Sequence, residues 1–205
     1  GYKPKDRDTL KKLLKRMIEV RGDEGDFNDI DTSDITSMVS LFNYNSTFNG
    51  DITGWNVSSV IDMNHMFYYA KSFNQPIGKW EFPNVKDMNN MFYNAISFNQ
   101  PIGKWKFPNV KNMNRMFWGA SSFNQDISKW KFPNVEKMNS MFSYAESFNQ
   151  PIGNWEFPNV TDMSSMFYGA ASFDQDLSKW DLKGKEKIDM FFYCPIKDEY
   201  KPKMK

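Results

Sequence analysis

The sequence predicts a repeat solenoid of about seven stacked coils, in which each 25-residue unit contributes one short strand and one short helix. A tryptophan column sets this interval, at Trp55, Trp80, Trp105, Trp130, Trp155 and Trp180. Phenylalanine and valine columns share the interval, and one unit reads FNQPIGKWEFPNVKDMNNMFYNAIS over residues 73–97. A unit this short cannot bury its apolar side chains alone, so neighbouring units are expected to stack into short parallel strands and short helices.

The chain is predicted to have three parts. Residues 1–23 form an N-terminal capping helix, residues 24–195 form the solenoid, and residues 196–205 form a loose, lysine-rich C-terminal tail. The first and last coils are less regular than the middle ones, as expected for coils that face solvent on one side.

The capping helix is predicted over residues 9–20. Its apolar residues follow a helical period along one face, and they are Leu10, Leu13, Leu14, Met17 and Ile18. Thr9 is a candidate N-cap, and Gly22 stands where a helix commonly ends. We expect this helix to cover the first coil.

Each repeat is predicted to contain a strand followed by a helix. Trp80 and Phe82 alternate with polar residues, which is typical of a half-buried strand. A helical stripe follows, made of Val85, Met88, Met91, Phe92 and Ala95. Asn84 resembles a helix N-cap, and Pro83 ends the strand.

The C-terminal copy is expected to keep the register without an insertion or deletion. Ile188 then takes the place of Met163, and Cys194 takes the place of Gly169. An asparagine column through the regular repeats is expected to form a polar ladder that satisfies backbone groups in the turns.

Composition excludes several classes of protein. The single cysteine rules out an internal disulfide, and a net charge of +1 gives no overall field that would favour nucleic acid. No apolar run is long enough for a membrane helix. The sequence starts at Gly1, so a signal or anchor is expected to lie outside these residues, and any membrane contact is expected only through it.

The recurring motifs V-x-x-M-x-x-M-F-x-x-A and F-N-Q-x-I-x-x-W resemble the bacterial BspA-like leucine-rich-repeat surface proteins, in their branch with 25-residue repeats. The resemblance implies a leucine-rich-repeat-like, right-handed solenoid. It also implies a secreted or cell-surface location and a role in adhesion or host contact. The sequence lacks the L-x-x-L-x-L core of ordinary leucine-rich repeats and a lipidated N-terminal cysteine.

The sequence offers no catalytic constellation. His65 occupies a variable repeat position and is expected to face solvent, and it lies about five coils from Cys194. No phosphate loop, zinc spacing or nucleophile elbow is present. We therefore predict a protein that is not an enzyme and that has no cofactor and no metal site.

Binding is expected where the repeat varies. The outward positions beside the tryptophan column carry a lysine cluster in the middle coils, at Lys104, Lys106, Lys129 and Lys131. One reading is a basic patch for an anionic partner. The other is a solvated face, in which Glu81 and Glu156 pair with neighbouring lysines.

A second variable position carries an aromatic row, at Tyr68, Tyr93, Trp118 and Tyr168. On the outside of the coils these rings would suit contact with a protein or a sugar. In grooves between coils they would be packing residues.

The predicted function is a non-enzymatic binding or adhesion module, which presents one face to a protein or acidic glycan on a host or matrix surface. The alternative is a structural spacer or a self-assembling repeat unit without a ligand of its own. A monomer is expected, and nucleic acid is not an expected partner.

Overall fold

A computed structural model describes residues 1–205, which form a stack of coils with a helix packed on the N-terminal coil. The helices are α1, Arg7–Arg21, and a 3-10 helix, Asp198–Tyr200. The seven coils run over residues 23–47, 48–72, 73–97, 98–122, 123–147, 148–172 and 173–196. Neighbouring coils are joined by isolated parallel β-bridges such as Asp62 with Asp87.

The predicted fold class, a leucine-rich-repeat-like solenoid of short strands and short helices, is wrong. The chain has one α-helix, and no strand extends beyond an isolated bridge. Turns make up the coils instead. The helix and the strand predicted in each unit fail for two different physical reasons.

The apolar stripe after each Pro-Asn pair forms consecutive turns instead of a helix. In the second coil the amides of Met66 and Tyr68 donate to carbonyls three residues back, whereas the alternate amides of His65 and Tyr69 donate to the next coil. His65 and Tyr69 also have φ values of 58° and 59°, which a right-handed helix excludes. Hydrogen bonds between coils therefore replace the bonds within a helix. Asn84 caps no helix, and its side-chain amide donates to the Ser58 carbonyl at 2.9 Å.

The tryptophan segment does not pair as a strand because the coils stand too far apart there. The rings of Trp105 and Trp130 have centroids 6.4 Å apart, whereas paired strands are about 4.8 Å apart. No backbone hydrogen bond joins residues 104–107 to a neighbouring coil. The asparagine side chain bridges the gap instead, since Asn109 donates to the Pro83 carbonyl at 2.7 Å.

Helix α1 begins at a different residue from the one predicted. Asp6 is the N-cap, and its carboxylate accepts the backbone amide of Thr9 at 2.8 Å. Gly22 ends the helix with a φ of 81°. Leu10, Leu14 and Met17 are buried against the stack.

The core is one continuous column of apolar side chains along the stack. Phenylalanine rings repeat from coil to coil, as in Phe92 and Phe117, whose centroids are 5.5 Å apart. Most buried indoles also donate a hydrogen bond, as Trp130 does to the Ile102 carbonyl at 3.0 Å. Burial of these large rings supplies most of the stability, at about 1.5–3 kcal/mol for each fully buried side chain.

The predicted asparagine ladder is confirmed. The Asn49 side-chain oxygen accepts the amide of Asn74 at 2.8 Å, and the same bond repeats in each following coil up to Asp174. The C-terminal residues continue this ladder and are not loose, because the amide of Lys197 donates to Asp174 at 3.0 Å. The amide of Leu177 also donates to the Tyr200 carbonyl.

The last coil is one residue shorter than predicted. Ser140 pairs with Ser164, 24 residues on, whereas Ser165 pairs with Ile188, 23 residues on. Phe191 therefore stacks on Phe167, with centroids 5.7 Å apart. Ile188 does not take the place of a core methionine and is 67% exposed.

Candidate functional site

The lysine cluster lies on the surface of the fourth and fifth coils. Its side chains point outward because they alternate with Trp105, Phe107 and the equivalent rings of the next coil, which are almost fully buried. All of its members are exposed, and they are Lys104, Lys106, Lys129 and Lys131. The structure thus brings together, on one face, the four lysines singled out in the sequence.

These lysines border an open groove of about 920 Å³, which we call the lysine groove. Apolar edges of Trp80, Phe82 and Trp105 contribute to its lining. The full lining is Trp80, Glu81, Phe82, Pro83, Gly103, Lys104, Trp105, Lys106, Phe107, Pro108, Lys129, Lys131 and Pro133. The rings are almost fully buried, so the exposed apolar part of the lining is Pro83, Pro108 and Pro133, and the site combines a cationic border with this proline surface.

None of the four lysines forms an ion pair within 4.0 Å. Glu81 lines the groove and Glu156 lies one coil beyond it, yet neither pairs with them. All ion pairs of the chain lie near its two ends, from Lys3 to Asp34 and from Asp174 to Lys201. The hypothesis that Glu81 and Glu156 neutralise these lysines is therefore not supported by any ion pair in the structure.

The groove is suited to holding an anion against an apolar surface. Lysine ammonium groups attract carboxylate, sulfate or phosphate, and the attraction adds up where several converge. The exposed prolines of the lining offer apolar contact to a sugar ring or a side chain.

The aromatic row forms a second surface feature, which we call the aromatic ladder. Tyr93 and Trp118 stack with centroids 4.3 Å apart and planes 3° from parallel, and Tyr68 stacks on Tyr93 at 4.7 Å. These rings are half-buried, as is Tyr168. They therefore pack on one another and also present ring surface to solvent, and contact of this surface with a protein or a sugar stays a prediction.

The aromatic ladder changes position at the fifth coil. Ser143 stands at the position that Tyr68, Tyr93, Trp118 and Tyr168 occupy in other coils, and it is buried. Tyr144, the next residue, fills the gap, with centroids 5.1 Å from Trp118 and 5.5 Å from Tyr168. Burial raises the pKa of Tyr68, and neighbouring tyrosines raise it further, so this ring is neutral at physiological pH.

His65 is half-buried and does not simply face solvent as expected. Its Nδ1 lies 2.8 Å from the Asn64 side-chain oxygen, and its Nε2 lies 3.1 Å from the Asn90 side-chain nitrogen. Burial lowers the pKa of His65. With both ring nitrogens engaged by neighbouring amides, the imidazole serves as part of a polar network between coils.

Cys194 occupies the alanine position of Ala170, and not the glycine position that the sequence predicted, because of the shortened last coil. Burial raises the pKa of its thiol to about 11, which makes it a poor nucleophile. No three side chains of the types that ligate metals come together in the structure. Neither helix is long and apolar enough to cross a membrane.

The comparisons with known proteins identify a family. Residues 10–122 and 99–200 both match the family described as "Mycoplasma protein of unknown function, DUF285". The chain belongs to the DUF285 family. No curated protein and no solved structure matches the chain.

The two matches to DUF285 span the coils that carry the lysine groove. Sequence reasoning found the four lysines but missed the prolines Pro83, Pro108 and Pro133 as part of the lining. Their repeat at 25-residue intervals was the available signal, and it was interpreted only as the end of a strand. Exposed prolines beside buried tryptophans indicate an apolar surface that a ligand can contact.

Proposed function

We propose that this chain is a non-enzymatic binding module of the DUF285 family, which presents the lysine groove to an anionic partner. The observation that supports it is the convergence of Lys104, Lys106, Lys129 and Lys131, without one ion pair, on an open groove with apolar edges. The partner is a protein or acidic glycan of a host or matrix surface. No metal or cofactor has a part in this function.

Unpaired lysines favour this function on physical grounds. A lysine already held by a carboxylate must give up that partner before it binds an external anion, whereas these four have none to lose. Each exposed contact is worth little, at about 0.2–1 kcal/mol, so affinity depends on several contacts made together. Salt within the physiological range should weaken such binding strongly.

The apolar residues of the groove add contact area that the lysine charges do not supply. Charged borders mainly steer and orient a ligand, while the exposed prolines contribute apolar contact area that salt does not screen. A partner with regularly spaced acidic groups and flat apolar faces would use both. Acidic polysaccharides and acidic, proline-containing peptides have this chemistry.

A cell-surface or secreted location is part of the proposal. It rests on the resemblance of the repeat motifs to BspA-like surface proteins, which stays a prediction. The groove suits such a location because an open face on a stack of coils is accessible to a large partner.

The test is binding of two probes, a sulfated oligosaccharide and a poly-glutamate peptide, at low and moderate salt. We compare the chain with a variant that carries glutamate at the four groove positions, K104E/K106E/K129E/K131E. The matched control makes the same change of charge at four exposed lysines outside the groove, K12E/K15E/K71E/K183E. Circular dichroism and thermal unfolding verify that both variants fold.

Salt-sensitive binding that the groove variant loses and the control retains would support the proposal. Equal loss in both variants would mean attraction to net charge alone and would contradict a defined site. Binding retained by the groove variant would move the site, with the aromatic ladder (Tyr68, Tyr93, Trp118 and Tyr168) next. No binding of either probe would favour the alternative, a spacer without its own ligand.

A further inference from the structure

Neighbouring coils are joined by a row of four parallel hydrogen bonds on one side of the stack. Between the sixth and seventh coils the donors are the amides of Met163, Ser165, Phe167 and Gly169. The acceptors are the carbonyls of Glu186, Ile188, Met190 and Phe192, at 2.8 to 2.9 Å. All four amides are directed toward the C-terminal end of the stack, and the same row recurs between every pair of coils.

The last coil leaves this row of donors open. The equivalent amides belong to Lys187, Asp189, Phe191 and Tyr193, and none of them makes a hydrogen bond. We call these four amides the donor row. The C-terminal residues cover a different part of the coil, where the Tyr200 carbonyl accepts the amide of Leu177.

The first coil carries the matching acceptors. Equivalence along the stack assigns them to the carbonyls of Ser37, Val39, Leu41 and Asn43, which accept no backbone amide. We call these four carbonyls the acceptor row. Helix α1 covers the row, since Arg7 Nε donates to the Val39 carbonyl at 2.7 Å and Lys11 Nζ donates to the Leu41 carbonyl at 2.6 Å.

The two ends of the stack are thus complementary but unequally protected. Two donor rows cannot pair, because amides would face amides, so a tail-to-tail dimer is excluded at this edge. The donor row of one copy can pair with the acceptor row of another through the same four bonds that join consecutive coils, beside the part of the last coil that the C-terminal residues cover. Exposed apolar side chains flank the donor row, at Ile188, which is 67% exposed, and Tyr193, which is 74% exposed.

We infer that the C-terminal edge of the stack is a docking surface for the first coil of a second copy, and that α1 blocks this head-to-tail addition. With α1 in place, two of the four carbonyls of the acceptor row are bonded to α1, the helix covers the row, and the chain is a monomer. When α1 is displaced, each copy presents a donor row at one end and an acceptor row at the other. Such a contact is heterologous, so addition continues into a filament unless the rotation between copies closes a ring.

The test displaces α1 in the full chain. Leu14 is 2% exposed beneath the helix, so Leu14→Asp places a carboxylate in the apolar interface and releases α1. A second variant, R7E/K11E, replaces the two cations on the acceptor row with carboxylates that repel its carbonyls. Amide hydrogen exchange of residues 10–18 reports the release of α1, and sedimentation velocity reports the assembly state.

The control blocks the other end. Adding I188E/Y193E to either variant places carboxylates beside the donor row, where they would face the incoming carbonyls, and both positions are exposed enough to accept them. We expect the unmodified chain to be a monomer. We also expect each α1-released variant to assemble with rising concentration, and the added I188E/Y193E pair to restore the monomer.

Two results would overturn the inference. One is a variant in which hydrogen exchange shows that α1 is released but which stays monomeric at concentrations where exposed edges normally associate. The other is assembly that I188E/Y193E does not reverse, which would assign it to the uncovered apolar face of α1. If Leu14→Asp fails to fold, R7E/K11E tests the same inference, because it keeps every apolar contact of α1. Binding of an anionic ligand is measured separately, so failure here leaves the lysine groove untouched.

Discussion

Lys197 lies at the end of the asparagine ladder and contacts both side-chain oxygens of Asp174. Its backbone amide donates to Asp174 Oδ1 at 3.0 Å, and its Nζ lies 2.8 Å from Asp174 Oδ2. Asp174 replaces the asparagine found at this position in the second to sixth coils. The acid at the last position of the ladder thus recruits a lysine from the C-terminal residues, which holds them against the seventh coil.

Asp174→Asn should loosen the C-terminal residues without unfolding the stack. The asparagine keeps an oxygen for the Lys197 amide but loses the charged contact with Nζ. We expect faster hydrogen exchange at the amide of Leu177, which is bonded to the Tyr200 carbonyl. Asp176→Asn is the matched control, because Asp176 bonds only to Ser178. Unchanged exchange at Leu177 would mean that Lys197 does not hold this segment.

Acid should release the same segment before it unfolds the coils. The hydrogen bond from Lys197 lowers the pKa of Asp174 below its ordinary value of 3.8. A carboxylate with a depressed pKa stabilises the folded state above the unfolded-state value, and this contribution is lost as the pH falls through the folded-state value. We expect Leu177 exchange to accelerate relative to the core as the pH falls below the ordinary carboxyl value of 3.8. Asp174→Asn should remove that pH dependence, and its persistence would point to another acid.

Trp55 and Trp80 form a natural pair for measuring the indole hydrogen bond. Both are 4% exposed, and each packs on one phenylalanine ring, at 6.0 and 6.5 Å. Trp55 Nε1 donates to the Phe27 carbonyl at 3.0 Å, whereas Trp80 Nε1 is buried without a partner. Trp55→Phe should therefore cost about 1 kcal/mol more than Trp80→Phe in free energy of unfolding. Guanidinium unfolding measures both, and equal costs would contradict the assignment of Trp80 as unbonded.

Alanine substitutions at Gly119 and Gly184 distinguish the cost of backbone strain from the cost of a steric clash. Both have positive φ, at 68° and 74°, so alanine costs about 1–2 kcal/mol at either site. A Cβ at Gly119 would also collide with the Asn94 side-chain oxygen, whereas nothing lies within 4 Å at Gly184. We expect Gly119→Ala to lower the melting temperature more than Gly184→Ala, and Asn94→Ala to recover the difference in the double variant. An equal fall in the two single variants would show that Asn94 moves aside freely.

Cys194 should react slowly with thiol reagents in the folded chain. Burial raises its thiol pKa from 9.0 to about 11, which alone lowers the thiolate population near neutral pH about 100-fold. Labelling by a maleimide before and after addition of guanidinium gives the ratio of rates. A ratio near one would indicate that the last coil opens readily.

The sequence predicts which residues lie inside the stack but not the path of the backbone between them. Val85, Met88 and Met91 are all fully buried, as the spacing requires. The same spacing of three also fits successive turns, and here the hydrogen bonds to the next coil decide between turn and helix. Alternate amides cannot bond both within a helix and across coils, and a single repeat contains no signal for that competition.

Likewise, the sequence predicts the side chains of the candidate site but not its backbone groups. Side-chain identity predicted the lysines at 104 and 106, because charge at a variable position next to a conserved ring column is visible in the repeat. The donor and acceptor rows are backbone groups, so no residue type marks them. The deletion in the last coil was missed because Phe191 and Phe192 fit either register, and only the stacking of Phe191 on Phe167 decides it.

The lysine groove is tested most directly by nitrogen-15 spectra of the indole N–H groups during titration with a sulfated oligosaccharide. Trp80 and Trp105 line the groove, Trp118 belongs to the aromatic ladder, and Trp180 lies in the last coil outside both. We predict that the Trp80 and Trp105 signals shift in proportion to bound ligand while the Trp118 and Trp180 signals stay in place. Shifts confined to Trp118, or shifts spread evenly over all the indoles, would contradict a binding site in the lysine groove.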